Sequence, residues 1–437
     1  MIHLTSTTVP NLNRHALKNR GKPPSGVRSN QGNHSTPNRA APLKVGIIGA
    51  GLAGLTCGYH LAQHNIEFQL FEASDRVGGR IMTYQHSSGE TAELGAGYFH
   101  NHYHALLNLI DQLGLSAQIV QRQGSQRVAF CREGAAVSLS KNSSARSVFD
   151  RLQQAILSDC QKGNQLLQKY EQNDRSFMDT VDEDPYWRHA ISTPFTESDL
   201  YRGLDAATQA YLIRPFTRKQ LASDPENLSL MTAIGALGAT MLPLKTLRGG
   251  LITLPNALYA AIELFVRLAT PVTQVARSGQ QWILTLNNDQ VYKCDVLVTS
   301  SLTGSLRDFC RFKPDLAYGQ THVLIVEGEL KSAYKSIDSL FSQHQGHGID
   351  GITRYGDRLF KVNSCGQSPD LNFFFQSFDI LSRQLWKSAI PQMPANRIYP
   401  AEELSENLHL IGDHWLPCME MAVLTGRKAA QKILAVS

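Results

Sequence analysis

The run from Lys44 to Arg80, KVGIIGAGLAGLTCGYHLAQHNIEFQLFEASDRVGGR, limits what this chain can fold into more than any other stretch. Lys44 to Ile48 is a short apolar, β-branched run of the kind buried in a parallel sheet. It leads directly into Gly49-Ala50-Gly51-Leu52-Ala53-Gly54, and a helical pattern extends from Leu52 to His64. A second strand, Glu67 to Phe71, ends on Glu72, about 20 residues beyond the glycines as a dinucleotide site requires. The first glycine serves a tight turn, the second lets the backbone approach a pyrophosphate, and the third lets helix and strand pack closely. The helix start offers free N–H groups and the positive end of its dipole to phosphates. Glu72 can accept hydrogen bonds from an adenosine ribose. Strand, glycine loop, helix, second strand and terminal acid together specify a dinucleotide-binding unit.

The segment after Glu72 separates two kinds of dinucleotide site. Ala73-Ser74-Asp75-Arg76-Val77-Gly78-Gly79-Arg80 adds a second glycine turn that an NAD dehydrogenase does not need. With this turn the chain resembles the flavin-dependent amine oxidase superfamily, which also holds protoporphyrinogen oxidases and phytoene-type desaturases. The resemblance recurs in order along the chain. Ala92 to Phe99, AELGAGYF, resembles that family's strand passing the flavin, with Gly95 and Ala96 at the cofactor. Leu247-Arg248-Gly249-Gly250-Leu251, followed by Leu254 to Ala261, resembles its return into the cofactor domain. Thr270 to Val275 resembles the strand whose backbone meets the adenine, at Val272. Leu408 to Ile433 resembles the closing element. There Gly412 and Asp413 would reach the ribityl chain. Glu420 would help cap the last helix, and the N–H groups of Met421, Ala422 and Val423 would approach the isoalloxazine.

The resemblance implies FAD as cofactor, held by Gly49, Ala50, Gly51, Ala53, Gly54, Glu72, Ala73, Gly79, Arg80, Gly95, Ala96, Val272, Gly412, Asp413, Met421, Ala422 and Val423. The implied fold class is α/β, a Rossmann-like FAD-binding domain with a second α+β substrate domain of mixed sheet plus helices. Residues 43–98, 245–310 and 396–437 would form the first, and 99–244 and 311–395 the second, after a disordered tail over 1–42. The 437-residue length agrees with two domains.

The net charge of +5 is misleading as a guide to partners. Residues 1–44 hold seven Lys or Arg and no acid, and subtracting those seven from +5 leaves −2 for the body. No general basic field is left for nucleic acid. The tail lacks an apolar core of the signal-peptide kind, so a cytoplasmic location is expected, with organellar import through the Arg- and Ser-containing tail as the alternative. Seven scattered cysteines form no zinc or CxxC spacing and read as reduced thiols.

From Ala145 the pattern turns helical, with Val148, Leu152, Ile156 and Leu157 on one face, and further helices fit Asp199 to Leu212 and Glu226 to Leu242. Leu228 to Leu244 carries no charge, but its length, Gly235, Gly238 and Pro243 fit a helix lining a substrate cavity better than a membrane span. Gln281 to Leu286 and Val291 to Val298 read as a hairpin, and the final helix as Ala422 to Leu434. His322 to Glu327, Asn372 to Phe378 and Arg127 to Phe130 read as strands of a sheet floor under the flavin.

A flavin performs hydride chemistry itself, so the protein must orient substrate, tune the ring and control oxygen. Many amine oxidases carry a lysine on the strand crossing the flavin; aligning Tyr318 to Ile325 with it places His322 there. They also present a cage aromatic just before the closing Met-Glu pair, where this chain has Cys418. His322, Cys418 and Trp415 are therefore the candidate catalytic residues. Their alternatives are a satisfied strand histidine, a small buried thiol and a core indole. His100, His102 and His104 alternate, yet no Cys or carboxylate completes a metal set, and no metal is expected.

The reading these residues give is an FAD-dependent oxidoreductase that takes a hydride from a small organic substrate, an amine or an apolar ring compound, at a C–N bond with oxygen as acceptor. A C–C desaturase or ring oxidase is the alternative favoured by the uncharged Leu228–Leu244 stretch. A non-catalytic FAD-binding partner subunit is the one favoured by His322 and Cys418. No transmembrane segment is expected, and a homo-oligomer or protein partner stays open.

Overall fold

Val45 and Ile47 are fully buried, and the strand that carries them, Lys44–Ile48, pairs in parallel with both Glu67–Phe71 and Val296–Thr299. The computed structural model describes residues 42–122, 127–139, 144–238, 243–302, 304–310, 314, 316–343, 346–365 and 369–437. The basic tail, residues 239–242 of the uncharged stretch and His344 lie outside them. Leu408–Leu410 and Val266–Arg267 extend the parallel set on its two sides, and Glu403–Ser405 adds an antiparallel edge, giving six strands. The central strands are apolar on both faces because both faces are covered. On one side lie the helices Leu52–Gln63 and Met419–Leu434, the second packed on the first. On the other lies a three-stranded antiparallel sheet, Val272–Ser278, Gln281–Leu286 and Val291–Cys294, with Leu284 and Cys294 against Gly46.

A second, seven-stranded sheet runs in the order Phe375–Pro391, Tyr318–Leu330, Leu359–Ser364, Gly351–Arg354, Ser339–Ser342, Val128–Arg132 and Ala135–Ser138. Its pairs are antiparallel except Ser339–Ser342 with Val128–Arg132. The expected floor strands are there, longer than their sequence patterns. His322 lies within Tyr318–Leu330, and the aromatic segment becomes a single turn at Leu371–Phe373 followed by the 17-residue edge strand Phe375–Pro391.

Several helical expectations need correction. Asp199 to Leu212 is not one helix; it splits into Asp199–Arg202, Ala206–Thr208 and a π-type segment, Gln209–Ile213, because Gly203 ends the first turn and Asp205 caps the next. The Glu226 to Leu242 helix begins at Leu230 and is described to Gly238, since Pro225–Asn227 forms its own tight turn. In the long helix Ser144–Gln172, Leu152 and Ile156 are buried as expected, but Leu157 is 52% exposed. The expected strand from Val291 to Val298 is two strands in different sheets, broken at Asp295. The last helix starts at Met419, three residues before the expected Ala422. Among the described residues no helix is long and apolar enough to cross a membrane.

The crossing of the two covering helices is tight at Gly426. A methyl group there would stand 2.3 Å from the Ala53 carbonyl oxygen, backbone that cannot move aside cheaply. Gly426→Ala should destabilise the protein by about 1–3 kcal/mol, the usual cost of overpacking a close approach. A denaturant midpoint that does not fall in that variant would show that the helices can separate freely.

Candidate functional site

The helix Leu52–Gln63 starts without a side-chain cap and without an acid in its first turn, so its leading N–H groups are open to a ligand. Gly51 at that end has open space where a side chain would be. The second glycine turn explains itself in three dimensions. Gly79, with φ +56°, lays its backbone against Gly51, and the Gly78 N–H donates to the Ala50 carbonyl at 2.8 Å. Any side chain between the two turns would fill the phosphate approach.

These loops open into a cavity of about 830 Å3 lined from both large sheets. Of the expected cofactor residues, Gly49, Gly51, Ala53, Glu72, Gly79, Arg80, Gly95, Ala96, Gly412, Asp413 and Ala422 line it. Ala50, Gly54, Ala73, Val272, Met421 and Val423 do not. Val272 instead opens the three-stranded sheet, two residues past Thr270, whose N–H bonds the Glu72 carbonyl at 2.8 Å. Glu72 accepts from the Ala50 N–H at 2.7 Å and from the Ser74 N–H and hydroxyl at 2.9 and 2.8 Å. A carboxylate has about four lone-pair positions, so one is left for a ribose hydroxyl. Arg80 and Asp413 form an ion pair at the cavity wall, and Arg80 also donates to the Ala389 carbonyl at 3.1 Å.

The closing helix departs from expectation. Glu420 does not cap its own helix; its two oxygens accept from the Ala105 and Leu106 N–H groups at 2.8 and 2.9 Å, capping the helix His104–Gln112. The cap of the closing helix is Cys418, whose Sγ accepts from the Met421 N–H at 3.4 Å. The Met421 N–H is thus taken, and the Ala422 N–H goes to the Cys418 carbonyl at 3.4 Å. Burial pushes the Cys418 thiol up to about 12, so this cavity-lining residue is a neutral thiol.

Two other candidates are corrected by position. His322 lies between Thr321 and Val323, which line the cavity, and strand alternation turns its ring to the other face. Trp415 is 1% exposed, donates Nε1–H to the Pro400 carbonyl at 2.8 Å and does not line the cavity; it is a core indole. A lysine does reach the cavity, from the neighbouring strand. Lys361, in Leu359–Ser364, lines the cavity and donates to the Gly95 carbonyl at 3.0 Å. Burial, followed by repulsion from Arg122 and opposed by Glu93, lowers it to about 8. The signal was present in LFKVNS, one lysine at a single alternation position between the buried Phe360 and Val362. His100 and His102 stack with centroids 5.2 Å apart at the cavity wall rather than alternating on a strand, and burial lowers both to about 4.

An uncapped helix start, a second glycine turn and a cavity between two sheets define a dinucleotide-binding protein of the two-sheet kind. A family model described as flavin containing amine oxidoreductase matches residues 52–323, more than half of the chain. The chain belongs to that family of FAD-dependent oxidoreductases, and FAD is its cofactor. Among relatives, it is 37% identical over 91 residues to a 15-cis-phytoene desaturase of Arabidopsis thaliana, covering 21% of this chain and 16% of that one. It is 25% identical over 300 residues to an L-amino acid oxidase of Cerastes cerastes, covering 65% and 55%. The chain thus spans less than two thirds of either relative. Solved structures with the same fold include a cyclohexylamine oxidase from Brevibacterium oxydans (17% identity, 91% and 99% coverage, TM-score 0.63). Another is a fatty acid isomerase from P. acnes (16% identity, 90% and 98% coverage, TM-score 0.63).

Asp413→Ala removes the partner of Arg80 and a cavity-lining carboxylate. Flavin should be held about tenfold more weakly, the worth of one charge-assisted hydrogen bond. The ratio of flavin to protein absorbance after dialysis measures it; an unchanged ratio would place Asp413 outside the flavin site.

Proposed function

We propose that the chain oxidises a C–N bond of a small amine, with oxygen as the final acceptor. Residues 43–98, 245–310 and 396–437 form the FAD-binding domain in this reading, and 99–244 with 311–395 the substrate domain. The observation that carries it is Lys361, a buried lysine in the cavity beside the Gly95 strand. The similarity to an L-amino acid oxidase supports the same chemistry.

FAD supplies the hydride acceptor when bound; the chain supplies position and proton handling. The open N–H groups at Leu52–Gln63 would hold the pyrophosphate, Glu72 a ribose hydroxyl, and Asp413, oriented by Arg80, the ribityl chain. An amine arrives as its ammonium and must lose a proton before its α-carbon can release a hydride. Lys361 Nζ, neutral above pH about 8, accepts that proton. A second reading, C–C oxidation of an apolar substrate, is favoured by the uncharged helix Leu230–Gly238, which lines the cavity through Met231, Ile234 and Leu237.

Anaerobic addition of amines, amino acids and polyenes to the purified protein separates the two. Bleaching of the flavin bands by an amine or amino acid is expected, and bleaching by polyenes alone would overturn the C–N reading. Flavin reduction should speed up as pH rises through about 8, the value to which Lys361 is lowered. Lys361→Met should flatten that rise and slow reduction by about 10²-fold, the lower range for a lost acid–base group. Stopped-flow traces from pH 6 to 10 measure both.

A further inference from the structure

We infer that His414 is a positioning residue, the imidazole that aims the Asp413 carboxylate into the cavity and ties it to the seven-stranded sheet. This rests on the reading that Asp413 meets the ribityl chain of the flavin, and it names what holds the carboxylate there.

The His414 ring is 1% exposed and does not line the cavity, whereas Gly412 and Asp413 before it do. It therefore acts on anything in the cavity only through its neighbours. Both ring nitrogens are engaged: Nε2 stands 3.3 Å from the Ser300 carbonyl oxygen, and Nδ1 stands 3.1 Å from the Tyr318 hydroxyl. Burial holds His414 down to about 4, so the ring carries a single proton near neutral pH. A carbonyl oxygen can only accept, which puts that proton on Nε2 and leaves Nδ1 to accept the Tyr318 O–H.

The two partners belong to different sheets. Ser300 follows the parallel strand Val296–Thr299, and its N–H donates to the Ile48 carbonyl at 3.1 Å, beside the phosphate loop. Tyr318 opens the strand Tyr318–Leu330, which lines the cavity further along through Thr321 and Val323. Gly412 permits the arrangement. Its φ of +124° suits glycine, a methyl group there would stand 3.2 Å from His414 Nε2, and its N–H donates to the Thr425 hydroxyl at 2.8 Å. Asp413 is held a second time by Arg80, which also donates to the Ala389 carbonyl in the edge strand Phe375–Pro391 at 3.1 Å. The carboxylate thus takes its direction from two ties that both end in the seven-stranded sheet, one through Arg80 and one through His414. Removing the imidazole cuts the second tie and leaves the turn free to swing the carboxylate away.

The rate at which FAD leaves the holoenzyme, read from the rise in flavin fluorescence after dilution, tests this. His414→Phe fills the space without either hydrogen bond and should speed release about tenfold, with far-UV circular dichroism as the check on folding. His414→Asn keeps an acceptor near the place of Nδ1, and His414→Gln keeps a donor near the place of Nε2. Each should recover part of the loss, whereas a ring needed only to fill space would be replaced best by Phe. Tyr318→Phe removes one bond without touching the turn and should speed release about threefold, which keeps the inference testable if His414→Phe does not fold. In the Asp413→Ala protein, His414→Phe should add little, because the carboxylate it aims is gone. Native-like release from His414→Phe, or an acceleration of the same size with and without Asp413, overturns the inference. Its failure is distinct from that of the Asp413 reading. Unchanged release from Asp413→Ala removes that reading and the inference with it; faster release from Asp413→Ala beside native-like release from His414→Phe removes the inference alone.

Discussion

Everything in this structure depends on the uncovered start of the helix Leu52–Gln63. A helix N-terminus left without side-chain caps is a partial positive charge and a set of unsatisfied donors. The fold accepts that cost at the mouth of a large cavity, and backs the helix with Met419–Leu434 at a contact so close that only glycine fits at position 426. The second glycine turn, the ion pair of Arg80 with Asp413 and the glycine-rich segment around Gly95 all border the same space. A dinucleotide satisfies the donors; without one they remain open.

The far side of the cavity obeys a different electrostatic rule. There the seven-stranded sheet and the helix Arg214–Leu221 bring Lys361 and Lys219 beside Arg122, and desolvation lowers both lysines. A lysine lowered to about 8, as Lys361 is, can exchange a proton close to neutral pH. The apolar helix Leu230–Gly238 lines the same space.

The cofactor end was legible in the sequence because its constraints are local. Lys44–Ile48 and Glu67–Phe71 formed as expected to the residue, since a turn flanked by two apolar runs leaves few alternatives. The substrate end was not. His322 and Lys361 are 39 positions apart, and which of them faces the cavity depends on sheet register, where a shift of one residue exchanges the two faces. Cys418 took the capping role expected of Glu420 for a similar reason. Glu420 finds its donors at Ala105 and Leu106, on a helix that no local pattern places beside it.

By itself, then, the sequence determined that a dinucleotide unit exists and where its phosphate loop lies, because glycine spacing and strand–helix alternation act over a few residues; FAD followed from the resemblance to a flavin-dependent family. Tertiary structure alone decided which lysine enters the cavity and which thiol caps the last helix. Those outcomes come from burial and from pairings between distant strands, and neither is written in any single stretch of chain.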